Sequence, residues 1–380
     1  MKICIYMIDY VYNLRKKMWK VAYQFRRHLD FINAVDIDET EIKIATASND
    51  NCVGVLDLNS QEMRFLQGHT DYVEDVAFGP DMSIVASGSR DQTAILWNTK
   101  TTEKIGTLKG HKKTVRCLSW SPDFKHIVTG SNDTTALIFD VQECRRTKMI
   151  QGMKGWVRDI EWKGDTIVLA GNDKLIYLFD VRCGQNVQTI ETQSCSDITS
   201  ISFHHNGSIL AGGGFDHHFR LWDIRNSMQI RKQQAHSEIL THISFSPVND
   251  DFLTVGMDGI ARIWSLKCTN CISSFSQHER GITGCCWYKS SKGFVTVGQD
   301  RKIVGFEYND EDEDAQKEMI DGGDIMISLS RMQNALAQLV TTMNTLDNRL
   351  LIQEERVKWL KDNNNAISRA YNRRKPDNSF

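Results

Sequence analysis

The sequence predicts an all-β fold, a closed ring of seven four-stranded sheets over residues 19–308, followed by an α-helical coiled coil toward the C-terminus. Three observations predict it. A motif ending in Asp recurs at Asp50, Asp91, Asp133, Asp173, Asp216, Asp258 and Asp300, at spacings of 40 to 43 residues. Within each unit the apolar runs are short, rich in β-branched and aromatic residues, and interrupted by turn residues about every ten positions. After Phe306 the apolar period changes to alternate steps of four and three, which is the seam of a coiled coil.

The elements follow in order. Residues 1–18 read as a disordered extension, because Asp9 breaks the apolar start and no small-residue cleavage site precedes Arg15-Lys16-Lys17. Val21 to His28 then matches Glu62 to His69, the outer strand of a unit, whereas the seventh unit runs out after Phe306 and lacks that strand. The N-terminal segment is therefore expected to complete the seventh sheet and remove a free edge. Each unit reads as four antiparallel strands, as in Val73 to Phe78, Ile84 to Ser87 and Thr93 to Trp97. One such sheet cannot bury both its faces, but seven packed radially can.

Composition narrows the function. The chain is 41% hydrophobic and 25% charged, ordinary for a globular protein. With 46 basic and 48 acidic residues, a net charge of -2, it has no bulk attraction for phosphate backbones or anionic surfaces, so neither nucleic acid nor membrane is an expected partner. No apolar run approaches the roughly 18 residues that span a bilayer. The ten cysteines form no framework, and Cys268, Cys271, Cys285 and Cys286 do not have the spacing of a zinc signature, so reduced thiols are expected.

Gly68-His69, Asp91 and Trp97-Asn98, with Ala235-His236, Asp258 and Trp264, make the repeat resemble the WD-repeat family. The resemblance covers residues 19 to 308 and implies a seven-bladed WD40 β-propeller. It also implies a buried hydrogen-bonded chain of His, Ser or Thr, turn Asp and Trp in a blade. Two blades hold all four: His69, Ser87, Asp91, Trp97 and His236, Thr254, Asp258, Trp264. Blades 1, 3 and 7 replace the Trp, blade 4 offers Met153 and Leu169, and blade 5 offers Ser194 and Gly212. Blades 4 and 5 are thus expected to be the softest or the most specialised.

The Ser, His and Asp of these units read as a polar brace, because the set repeats and its Asp lies in a hairpin turn. No Gly-rich phosphate loop opens a helix and no nucleophile elbow occurs, so no enzyme, cofactor or metal is expected. His204-His205 and His217-His218 fall on predicted turns without a completing carboxylate pattern and read as solvated.

In this family the exposed narrow-face positions lie three and five residues after the His and one before the Asp. In blades 2 to 5 they bring Tyr72, Arg90, Arg116, Trp156, Arg158 and Phe215 onto one arc, and the same positions also hold Glu74, Thr114, Asn132, Asn172, Asp197 and Thr199. Exposed Trp, Tyr and Arg are the composition of an interface hot spot. The alternative is that some rings fold over the central channel and plug it.

Residues 309–324 read as an acidic flexible linker, with Asp310-Glu311-Asp312-Glu313-Asp314 and Gly322-Gly323. In the coiled coil, residues 325–362, Leu329, Leu336, Met343, Leu350 and Val357 take position a. Ile325, Met332, Leu339, Leu346, Gln353 and Leu360 take position d. The alternative is one amphipathic helix folded back on the propeller. Residues 363–380 form a basic tail.

A propeller before a short terminal coiled coil resembles the proteome-of-centriole protein 1 family. The runs Gln338-Leu339 through Leu346, Arg349-Leu350, Glu354-Glu355-Arg356-Val357-Lys358 and Trp156-Val157-Arg158 carry the likeness. That resemblance implies a centriole and basal-body scaffold of the cytoskeleton that stabilises triplet microtubules and supports cilium formation. Tubulin, microtubules and other centriolar proteins are its implied partners, with self-association through the coiled coil. The alternative is another oligomeric WD adaptor, such as a katanin-type regulatory subunit or a ubiquitin-ligase substrate receptor.

Overall fold

The computed structural model describes residues 19–79, 83–192 and 196–308. The extension 1–18, the linker, the coiled coil with its seam and the basic tail lie outside the described residues. Among the described residues, seven four-stranded antiparallel sheets form the fold, and in six of them the strands follow one another in chain order. The inner strands, such as Val73–Phe78 and Val115–Trp120, lie against the inner strands of the neighbouring blades, which closes a ring around a central axis.

The turn Asp fixes each hairpin. In blade 2, Asp91 Oδ1 accepts the Thr93 N–H at 3.0 Å, and Oδ2 accepts the Thr70 N–H from the preceding loop at 3.2 Å. Gln92, between Asp91 and Thr93, sits in the left-handed region at φ 72°. The Asp side chain holds this turn closed although the residue is not glycine. Only blade 6 places a glycine there, Gly259.

The seventh sheet is built from both ends of the propeller. Trp19–Arg26 pairs antiparallel with Lys302–Tyr308, from Trp19 opposite Tyr308 to Arg26 opposite Lys302, with one irregularity between Val21 and Tyr23. Tyr23 lies directly over Gly305, where a Cβ would stand 2.2 Å from its ring, so this close approach requires glycine. The Tyr23 hydroxyl meets that of Tyr288 at 2.7 Å.

Apolar faces of adjacent blades merge into continuous clusters. Ala45, Val53 and Leu66 of blade 1 pack with Val73, Val85 and Trp97 of blade 2. Polar side chains on the inner strands add a second set of links. Asp36, Asp75 and Asp159 accept the backbone N–H of Phe78, Leu118 and Ile201 in another blade at 2.8, 2.8 and 2.7 Å. Ser119 receives Trp162 N–H, and Ser200 receives Ile243 N–H. An apolar inner strand would leave those groups facing the axis unpaired.

Candidate partner-binding surface

The buried braces decide which polar residues remain for a partner. In blade 2, His69 Nδ1 lies 2.7 Å from Asp91 and Nε2 lies 2.8 Å from Ser87, whose oxygen also accepts the Trp97 Nε1–H at 2.8 Å. Blade 6 repeats this with His236, Asp258, Thr254 and Trp264 at 2.9 Å for each of the three contacts. Ser87 is fully buried and its oxygen is already engaged twice. It offers no nucleophile to a substrate.

Where Trp is missing, the hydroxyl turns to the backbone instead. Thr46, Thr129 and Thr296 keep the His contact and donate to the carbonyls of Gly54, Leu137 and Val304. Blades 4 and 5 lack the histidine and use the residue four after the Asp: Tyr177 donates to Asp173 at 2.7 Å, and buried Arg220 donates to Asp216 at 3.2 Å. Ser194 lies outside the described residues. Gly212 leaves the indole of Trp222 the space a side chain would take, and Trp222 Nε1 has no partner among the described residues.

Burial works against the charge of Asp91. The hydrogen bonds from His69 and Thr93 overcome it and hold the carboxyl far below the usual carboxylate range. Asp133 and Asp258 are lowered in the same way, against burial, by His111 and Thr135 and by His236 and Arg262.

Tyr72, Trp156 and Phe215 are 36%, 42% and 38% exposed, so none of the three rings is buried. The arginines lie against rings and carboxylates rather than standing free. Arg90 covers Tyr72 at 4.8 Å from the ring centroid and pairs with Glu74, which also receives Arg116 at 2.5 Å. Arg158 lies 5.7 Å from the Trp156 ring and 5.5 Å from Phe215, and reaches Asp197 at 3.3 Å. Burial lowers the pKa of Arg158, and the neighbouring Arg116 charge lowers it further, against the opposing pull of Asp197. Its Nε–H has no acceptor among the described residues.

The position five after the histidine corrects part of the expected exposure. Glu74 is only 7% exposed because two arginines enclose it. Thr199, Thr241 and Thr283 spend their hydroxyls on the carbonyls of Leu240, Ile282 and Ile32 in the adjacent blade, and Asn33 bonds Val73 in the same manner. Only blades 2 to 4 place a charged side chain there. Asp197 and Glu74 as counter-ions were not legible as such. Opposite charges at the equivalent positions Glu74 and Arg116 of adjacent repeats were a signal for the first pair only, because Asp197 and Arg158 stand at different positions of their repeats.

The model of the IFT122 first β-propeller matches residues 56–307. The DENN domain and WD repeat-containing protein SCD1 of Arabidopsis thaliana is 30% identical over 148 residues, 39% of this chain and 12% of that protein. The striatin homolog of Dictyostelium discoideum is 22% identical over 255 residues, 64% of this chain and 27% of that protein. Pre-mRNA-processing factor 19 of Mus musculus is 26% identical over 206 residues, 53% of this chain and 33% of that protein. The matched stretches thus span a third or less of these relatives' lengths. A propeller of this construction is typical of protein-interaction scaffolds, with side chains displayed on a rigid ring. By its repeats, its seven sheets and the family match across most of them, the chain belongs to the WD-repeat β-propellers of the IFT122 first-propeller type.

Proposed function

We propose that the chain is a non-enzymatic scaffold of the centriole and basal body, which grips an acidic protein surface such as that of tubulin through the arc on blades 2 to 5. One observation carries the docking reading. Three arginines share two carboxylates between exposed aromatic rings, and Arg158 keeps a donor with no acceptor among the described residues. The excess charge and the free donor favour a carboxylate from a partner, and Tyr72, Trp156 and Phe215 supply apolar area around it. Support for the location is the resemblance of the tail to the proteome-of-centriole protein 1 family.

Microtubule co-sedimentation tests the docking reading. Replacing Trp156 by Ala removes the most exposed ring of the arc and leaves the Arg90–Glu74–Arg116 pairing intact. It should weaken pelleting by about 2 kcal/mol or more, while the melting temperature barely moves because exposed side chains contribute little to folding. Equal pelleting of variant and parent discards the arc. Co-localisation of a tagged copy with a centriole marker tests the location independently.

The scaffold reading includes self-association through residues 325–362. Leu339→Asp with Leu346→Asp puts unpaired charge into the seam and should reduce the sedimenting mass to that of one chain. A monomeric parent, or an unchanged mass, rejects the coiled coil.

A further inference from the structure

On the opposite face from the arc, two imidazoles and a carboxylate meet where blades 5 and 6 join. His204 directly follows the inner strand Ile198–Phe203, and its N–H donates to Ile209 O at 2.9 Å, closing the turn that also carries His205. Asp250 stands immediately before Asp251–Gly256 of blade 6. His204 is not the solvated turn residue that the sequence suggested, since it is 2% exposed and packs against Phe245. Its Nε2 lies 3.2 Å from Asp250 Oδ1, and its Nδ1 has no partner among the described residues. The His205 ring lies 3.9 Å from that of His204.

We propose that His204, His205 and Asp250 form a binding site for a divalent transition metal, zinc by preference, which ties blade 5 to blade 6. One ring nitrogen from each histidine and one Asp250 oxygen lie within 4.8 Å of one another. Nitrogen and oxygen ligands at about 2.0 to 2.2 Å in a tetrahedral shell stand roughly 3.3 Å apart, close to the separation of His204 and Asp250. His205 is exposed and closes the remaining distance by a rotation of its side chain. Solvent takes the open position on that side.

Two imidazoles and a carboxylate suit zinc and its first-row neighbours, whereas calcium and magnesium take oxygen shells. Lys267 pairs with the other Asp250 oxygen at 2.8 Å, which orients the carboxylate and leaves Oδ1 toward the histidines. The site falls beside a blade that lacks the His–Ser/Thr brace and leaves its Trp222 Nε1 unpaired. A metal cross-link would therefore reinforce the ring where its polar bracing is incomplete.

The full-length chain, stripped with a chelator, is titrated with zinc chloride by calorimetry and melted with and without the metal. The wild type should show one saturable site and a zinc-dependent rise in melting temperature. His205→Ala, at an exposed position, should fold normally and weaken the site at least tenfold, and Asp250→Asn should weaken it as well. Cobalt substituted for zinc should give visible d–d bands without the strong near-ultraviolet thiolate band, which separates this site from the chain's ten cysteines. No saturable binding, an unchanged affinity in His205→Ala, or a thiolate band from the sole site overturns the proposal.

Discussion

Removal of residues 1–26 should abolish soluble, cooperatively melting protein, whereas removal of residues 1–17 leaves the closing strand intact and should melt like the parent. The longer truncation strips the partner from Lys302–Tyr308 and turns that strand into an open edge with a row of unpaired backbone groups. It also removes Trp19, whose ring packs against Phe275, Trp287, Phe294 and Tyr308 at centroid distances of 5.2 to 6.3 Å. The buried Tyr288 hydroxyl loses Tyr23 as well. Loss of a fully buried Trp costs about 3 to 5 kcal/mol; Trp19 is partly buried and contributes less, but the whole strand goes with it, against a total stability of about 5 to 15 kcal/mol. His28 is retained in this truncation, so the brace of blade 1 is not the cause of the loss. Size-exclusion chromatography with thermal melts decides the matter, and a truncated protein that elutes and melts like the parent rejects the closure.

The second large effect is a pH dependence from the carboxylates around the axis. Burial pushes Asp75 up to about 7, against hydrogen bonds from Leu118 and Val76 and with help from the charges of Asp159 and Asp36. Burial likewise raises Glu161 to about 7 against the Phe203 N–H. Asp159 is raised too, by burial, although His242 opposes it. A carboxyl whose folded pKa lies above its unfolded value holds its proton longer in the native state. Stability then falls as pH rises from about 4 to about 7 and is level above that.

The turn aspartates act in the other direction. Asp91, Asp133 and Asp258 are lowered on folding, so their contribution is present above the usual carboxylate range and is lost as pH falls below about 4. His236 and His242 are lowered by burial and also lose stability on acidification, in a window that overlaps that of the axial carboxylates. The double variant Asp75→Asn, Glu161→Gln separates these contributions. Relative to wild type, it should gain up to a few kcal/mol between pH 5 and pH 7.5, each pKa unit being worth about 1.4 kcal/mol. Urea unfolding of both proteins at the two pH values measures this, and a constant difference between them sinks the prediction.

How much of this was legible follows from how far each contact reaches along the chain. The seven blades could be counted because the repeat is local: apolar residues and a turn Asp return every 40 to 43 positions, and the spacing that sets strand and turn sets the sheet. The His, Ser or Thr and Asp of a blade lie within 22 residues of one another, so their meeting could also be anticipated from the period. The substitution of Tyr177 and Arg220 for a missing histidine lay within the same reach, but two blades with different residues leave no common pattern to read.

Contacts between blades were a different matter. Asp250 is 46 positions from His204, and Arg116 is 42 from Glu74. These pairs depend on the rotation of one blade against the next, which the period does not encode. The sequence by itself determined the number of blades, the strands and the braces within them, because those rest on neighbours along one hairpin. Only the tertiary structure decided which arginine shares which carboxylate, which face carries the paired imidazoles and which carboxyls hold their protons around the axis. Charge pairing and desolvation act through distances in space, and those distances exist only once the ring has closed.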